Sequence, residues 1–166
     1  MEPAVADEFE RFYLRNEGRV GRFVLGMLGD AALAVDAAQE TWLRYLRYVD
    51  RAEPRFDAVL LVAVARNVVR TMWRRTRPEF PADLTRQADV GSFEESVLMT
   101  DLITRLPYRE REVIVLHYAL DLSLEEICRQ TKEPCSAVKS RLYRARRRLR
   151  AEYLSGEEKL YAAQRE

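Results

Sequence analysis

The 166-residue sequence predicts an all-α protein: two small helical domains joined by a flexible linker, the second containing a helix-turn-helix. Three observations predict it. Apolar residues recur at spacings of three and four rather than two. Glycine is absent between Gly29 and Gly91 and again between Gly91 and Gly156, which leaves long stretches free of backbone punctuation. The segment from Pro78-Glu79-Phe80-Pro81-Ala82-Asp83 to Asp89-Val90-Gly91-Ser92 mixes prolines, a glycine and acids without a sustained helical period. It divides the chain into a first domain (1–77), a linker (78–95), a second domain (96–154) and a C-terminal tail (155–166). With 48% hydrophobic residues, both domains can form cores.

In the first domain Phe9, Phe12, Val20, Phe23, Val24 and Met27 suit core-facing helix positions, and Gly29-Asp30 ends that helical stretch. A second helix follows over Ala31–Val49. Val35, Ala38, Trp42, Tyr45, Leu46 and Val49 are its expected buried face, and Asp36, Gln39, Glu40, Leu43 and Arg47 share the opposite side. That acidic, amide-bearing stripe fits either a solvated face or a binding face. The third helix, from about Asp57 to Arg77, starts apolar and ends with Arg66, Arg70, Arg74, Arg75 and Arg77. Trp73 lies among these arginines, placed either to stack on unpaired bases or to close the core beneath a basic surface.

In the second domain Ser96 is the expected cap of a helix carrying Val97, Leu98, Leu102, Ile103 and Leu106, and Pro107 starts the next, with Val113, Ile114, Leu116 and Ala119 inside. Ser123-Leu124-Glu125-Glu126 is a capping box that fixes a short helix ending near Gln130. A turn around Thr131-Lys132-Glu133-Pro134 leads to a last helix from Cys135 or Ser136 to about Arg150, which is helix-turn-helix spacing. Val138, Leu142, Ala145 and Leu149 form one narrow apolar seam, to pack against Leu124 and Ile127. Lys139, Arg141, Arg144, Arg146, Arg147, Arg148 and Arg150 lie on the same helix with no acid from Cys135 to Arg150. Such segregation suits the major groove and its phosphates, with small Ser136, Ala137 and Ser140 permitting close approach. Gly156 is the expected end of this helix, and the tail beyond it returns to acidic and mixed composition.

Composition excludes several classes. The 28 basic residues face 27 acidic ones, a net of +1, so charge works only through segregated patches. The longest apolar run, Ala58 to Ala65, falls far short of the roughly 18 residues a membrane span needs, and the acidic opening is unlike a secretory signal. These features predict a cytoplasmic protein without membrane insertion. Cys128, Cys135 and a lone His117 cannot complete a zinc site; the cysteines, spaced Cys-x6-Cys, are expected as reduced, small apolar residues in preference to a redox switch, and His117 as an exposed helical residue. With no Gly-rich phosphate loop and no nucleophile beside a base, neither an enzyme nor a cofactor is expected.

Leu106-Pro107, Arg111-Glu112-Val113, Leu122-Ser123-Leu124-Glu125-Glu126-Ile127 and Val138-Lys139-Ser140-Arg141-Leu142-Tyr143-Arg144-Ala145-Arg146 resemble region 4 of extracytoplasmic-function (ECF) sigma factors. Leu28-Gly29-Asp30, Asp36-Ala37-Ala38-Gln39-Glu40-Thr41-Trp42-Leu43-Arg44 and Ala65-Arg66-Asn67 resemble region 2 of the same family. The resemblance implies a dissociable subunit of bacterial RNA polymerase that melts the −10 element with one domain and reads the −35 duplex with the other. Asp36, Gln39, Glu40, Leu43 and Arg47 would dock on the clamp coiled coil of the largest core subunit. Arg66, Asn67, Arg70, Thr71, Trp73 and Arg74 would address the −10 strand, and Lys139, Ser140, Arg141, Tyr143, Arg144 and Arg146 the −35 duplex. The linker, with Glu79, Asp83, Asp89, Glu94 and Glu95, would thread toward the active-site channel, and an anti-sigma factor, often membrane-tethered, is an expected partner. The alternative is a stand-alone helix-turn-helix regulator, which would need a dimer to reach two half-sites.

The chain departs from that family pattern in places. Leu33 and Val35 stand where acids are usual, Leu60 and Ala63 replace a tryptophan and an arginine, and Phe56 is slightly out of register. In the turn, Thr131, Lys132 and Glu133 replace an apolar-glycine-apolar pattern, and Cys135-Ser136-Ala137 replace a Val-Gly-Thr-like start.

Overall fold

The computed structural model describes residues 3–49, 56–76 and 94–163, and every regular element among them is an α-helix. The chain divides into two compact units, Met1–Asp89 and Val90–Glu166. Helices α1 (Pro3–Leu28), α2 (Ala31–Val49) and α3 (Ala58–Arg75) build the first; α4 (Glu94–Thr104), α5 (Tyr108–Ala119), α6 (Leu124–Thr131) and α7 (Cys135–Ala163) build the second. The linker acids Glu79, Asp83 and Asp89 lie outside the described residues.

The turn between α1 and α2 is dictated locally. Gly29 adopts φ 70°, a conformation open to glycine at no steric cost, and its N–H reaches the Leu25 carbonyl at 2.8 Å. Asp30 then caps α2, its Oδ1 accepting from the Leu33 N–H at 2.9 Å. The three helices pack mutually around Val20, Phe23, Val24 and Met27 of α1, Ala37, Trp42 and Tyr45 of α2, and Leu61, Val64, Val68 and Val69 of α3. Burying each of the larger side chains contributes about 1.5–3 kcal/mol.

At one edge of this core Phe9, Phe12, Trp42, Tyr45 and Phe56 form a ring cluster, with Phe12 stacked on Tyr45 at 5.5 Å and Phe56 5.7 Å from Phe12. Phe56 is half-buried at this edge and packs its ring against Phe9 and Phe12. The Tyr45 hydroxyl accepts from the Asp57 N–H at 2.7 Å and donates to the Asp57 carbonyl at 3.2 Å, while the Asp57 carboxylate caps α3 through the Val59 N–H at 2.7 Å. One tyrosine thereby ties the start of α3 to the middle of α2. Burial pushes the Tyr45 hydroxyl's pKa above its ordinary value.

Several sequence expectations need correction. Val35 is 57% exposed instead of buried, and Ala34, Ala37 and Thr41 occupy the inward arc. Thr41 is admissible there because its hydroxyl donates to the Ala37 carbonyl at 2.7 Å, so apolarity alone misassigned the face. Helix α4 starts at Glu94, not at a Ser96 cap; two acids at a helix start are favoured by the macrodipole, which draws Glu94 and Glu95 out of the expected linker. Helix α7 passes through Gly156 to Ala163. An exposed glycine costs a helix only about 1 kcal/mol, and strong helix formers flank it on both sides.

In the second unit α7 packs on α4, α5 and α6. Arg111 of α5, 4% exposed, donates Nη2 to the Thr104 carbonyl and, at 3.3 Å, to the Leu106 carbonyl, satisfying the carbonyl end of α4. Its burial lowers the guanidinium pKa to about 10. His117 is half-buried rather than exposed: its Nδ1 donates to the Leu122 carbonyl at 2.8 Å and straps the turn between α5 and α6.

Candidate nucleic-acid and partner-docking surfaces

The α6–turn–α7 element forms as the residues direct. Ser123 Oγ accepts from the Glu126 N–H at 3.2 Å, and Glu126 Oε2 accepts from the Ser123 N–H at 2.7 Å, closing the capping box. Lys132 ends α6 in the left-handed region at φ 56°, where the family pattern has glycine. The N–H groups of Lys132 and Glu133 both point to the Cys128 carbonyl, the latter at 3.3 Å, and Pro134 then starts α7 by accepting from Ala137 at 3.0 Å. Val138, Leu142 and Ala145 are buried with Ile127, and Leu149 is half-buried.

That seam fixes which cations face outward. Ser136, Lys139, Ser140, Tyr143, Arg144 and Arg147 are all exposed on the side away from it. Tyr143 is 62% exposed, with the Arg147 guanidinium 5.9 Å from its ring. Arg147, absent from the −35 set expected from sequence, belongs to this stripe by its i, i+4, i+7, i+11 spacing from Ser136.

Two arginines of the expected −35 set lie elsewhere. Arg141, 14% exposed in its side chain, forms an ion pair with Glu133, which also accepts from Arg109 at 3.0 Å. Arg146 lies on the other flank, its Nε donating to the Tyr118 hydroxyl at 2.8 Å with the guanidinium 5.6 Å from that ring. Arg148 pairs with the buried Glu110 at 3.0 Å, and Arg144 sits 3.6 Å from the same carboxylate. Acids on α5 and in the turn therefore sort the cations of a helix whose first four turns contain no acid. Nothing within α7 signals this; Glu110 and Glu133 supply it through tertiary contact.

The cysteines differ from expectation. Cys128 on α6 and Cys135 at the first residue of α7 are joined by a disulfide, with Cα atoms 5.4 Å apart. The turn brings residues seven apart in sequence into bonding range, which a count of cysteines does not reveal. Cys128 is 8% exposed and Cys135 is exposed.

In the first unit Asn67 and Arg74 of α3 are exposed and Arg70 and Thr71 half-buried along one stripe; the Thr71 hydroxyl donates to the Asn67 carbonyl at 2.9 Å. Arg66 is only 6% exposed and faces the helical packing, which removes it from the expected −10 strand surface. Trp73 is half-buried on the same flank as Arg66.

On α2, Asp36, Gln39, Leu43 and Arg47 are exposed, Leu43 by 54%, and Glu40 pairs with Arg44. The expected docking stripe is therefore continuous and open. Val35 lies beside it in an open groove shared with Leu14, Ala38 and Trp42. Among the described residues no group of histidines, cysteines and acids could hold a metal, and no helix is long and apolar enough to cross a membrane.

Residues 12–79 match the model of Sigma-70 region 2, and residues 96–149 match that of Sigma-70, region 4. The chain is 34% identical over 154 residues to the probable RNA polymerase sigma-C factor of Mycobacterium bovis, covering 86% of this chain and 82% of that protein. It is 30% identical over 157 residues to the ECF RNA polymerase sigma factor BldN of Streptomyces coelicolor, covering 87% of this chain and 60% of that longer protein. The sigma factor RpoE from Bartonella quintana, solved in complex with the anti-sigma factor NepR, shares the fold. It has a TM-score of 0.72 at 22% identity, with 87% of this chain and 95% of that one covered.

Proposed function

The chain belongs to the sigma-70 family of RNA polymerase sigma factors, in its ECF group, and from that premise we propose that it docks on core RNA polymerase and directs initiation at specific promoters. The observation that carries the proposal is the pairing, in one chain, of an Asp36-Gln39-Glu40-Leu43 stripe with a helix-turn-helix whose Ser136-Lys139-Ser140-Tyr143-Arg147 face is exposed, with Arg144 at its edge 3.6 Å from Glu110. A stand-alone regulator has no use for the first of these surfaces, and its reading is not favoured.

In this reading Lys139, Arg144 and Arg147 meet the −35 duplex. Guanidinium forks address guanine O6 and N7 or phosphates, and the N-terminal end of α7 supports a phosphate through its macrodipole. Asn67, Arg70, Thr71 and Arg74 hold the −10 strand. Melting requires no nucleotide hydrolysis, because capture of unpaired bases supplies the free energy, and the protein acts as a non-enzymatic, cytoplasmic factor. An anti-sigma factor is its expected inhibitory partner, masking these surfaces until a signal arrives. Two weak DNA readers in one chain gain affinity through effective concentration.

Selection of promoters from a library randomised at the −35 element, transcribed by core polymerase with this protein, tests the reading. A defined −35 sequence should emerge, and Lys139→Ala should lower transcription from it by the equivalent of about 1–3 kcal/mol while leaving core binding intact. Equal transcription from selected and scrambled −35 elements by the unaltered protein would contradict the assignment.

A further inference from the structure

We propose that Cys135 and Cys128 form a thiol–disulfide exchange site built into the DNA-reading element, with low-molecular-weight thiols and disulfides as its co-reactants. The proposal rests on the reading of α7 as the −35 reader. Three features of the turn carry it.

The first is a division of roles between the sulfurs. Cys135 is exposed at the first residue of α7, where the helix macrodipole favours a thiolate and no acid lies in the first turn. Cys128 is 8% exposed on α6. An incoming reagent therefore meets Cys135, and Cys128 resolves the product.

The second is preorganisation. The Cys128 carbonyl accepts from the N–H groups of both Lys132 and Glu133, and the left-handed Lys132 turns the chain back so that the two Cα atoms stand 5.4 Å apart. Those backbone bonds do not involve sulfur and persist when the bridge opens. The thiols consequently remain neighbours, and closure is intramolecular rather than between chains.

The third is position. The bridge spans only the turn, while the seam of Val138, Leu142 and Ala145 and the Glu133–Arg141 ion pair hold the rest of α7. Opening it releases the Cys135 side chain and loosens the first residues of the reading helix, beside Ser136 and Lys139, while the backbone bonds and the seam stay in place. In the reducing interior where RNA polymerase works, disulfides are transient and serve sensing more than stapling.

The chemistry balances. Cys135 thiolate attacks a small disulfide RSSR, forming a Cys135–SR bond and releasing RS⁻, which takes up a proton. Cys128, as thiolate, attacks the Cys135 sulfur, forming the protein disulfide and releasing the second RS⁻ to be protonated. Two protein thiols are oxidised and one RSSR is reduced to two RSH, and excess RSH drives the reverse sequence. The oxidised state immobilises the start of the reading helix, so −35-dependent transcription should be about three- to tenfold stronger than in the reduced state.

The test uses the full chain equilibrated in glutathione buffers of defined ratio, with free thiols counted by maleimide gel shift and −35-dependent transcription measured on core polymerase. Expected are simultaneous loss of both thiols without dimer formation, a three- to tenfold gain in transcription on oxidation, and no response in Cys128→Ser/Cys135→Ser. Thiols that stay free in glutathione disulfide, oxidation only between chains, or an equal response of the double variant would overturn the proposal. Absence of transcription in both states would instead overturn the promoter-reading function, while the maleimide count separately decides the thiol couple.

Discussion

Lys132 and Tyr45 show how single residues set this fold. A non-glycine residue in the left-handed region costs roughly 1–2 kcal/mol, part of which glycine would give back as unfolded-chain entropy. Lys132→Gly should therefore stabilise the second unit by about 0.5–1 kcal/mol. Urea unfolding followed by far-ultraviolet circular dichroism checks this, since both tryptophans, Trp42 and Trp73, report on the first unit. Tyr45 makes the first unit sensitive to alkali. Its hydroxyl has a raised pKa in the folded protein, so the unfolded chain releases that proton first, and stability present below pH 10 declines as pH rises through the higher folded value. Tryptophan-monitored urea midpoints should hold up to about pH 9 and fall as pH rises past about 10, and Tyr45→Phe should flatten that fall while costing about 1 kcal/mol at neutral pH. Neither effect was legible in the sequence: the Lys132 departure is visible there, but the backbone angle and the Tyr45–Asp57 bonds exist only once the helices pack.

At the scale of elements, what could be read in advance was whatever depends on local spacing. The limits of α2, the capping box at Ser123, the turn at Thr131–Pro134 and the Val138-Leu142-Ala145 seam all follow from periodicity and cap chemistry. The stripe of Asp36, Gln39, Leu43 and Arg47 follows for the same reason. What escaped was set by other elements: Glu133 and Glu110 hold Arg141 and Arg148, Tyr118 holds Arg146, and packing hides Arg66. Two arginines six apart on α7 therefore have opposite expected behaviour. Arg147→Ala should weaken −35-dependent transcription by the equivalent of about 1–3 kcal/mol with the unfolding midpoint unchanged. Arg141→Ala should instead destabilise the second unit by about 1–2 kcal/mol, less than a fully buried pair would cost because both partners keep some solvent. A loss of transcription in Arg141→Ala without any loss of stability would return Arg141 to the reading face.

At the scale of the whole molecule, a net charge of +1 conceals segregation: cations collect on α7 and late α3, and acids with an amide line α2. A nearly neutral chain thus has little general attraction for nucleic acid and depends on a large partner to bring its two readers onto one promoter. The α2 stripe is the surface we propose for that dependence, and Leu33 with the exposed Val35 gives it a less acidic approach ahead of Asp36. The most direct measurement is co-elution of the purified protein with bacterial core RNA polymerase at moderate salt, beside Asp36→Arg/Glu40→Arg. The unaltered protein should co-elute and the variant should not, with both retaining the same helical content and the variant losing no more than the few tenths of a kcal/mol of the Glu40–Arg44 pair. Co-elution of both to the same extent would contradict the docking surface, and co-elution of neither would contradict the polymerase-dependent function itself.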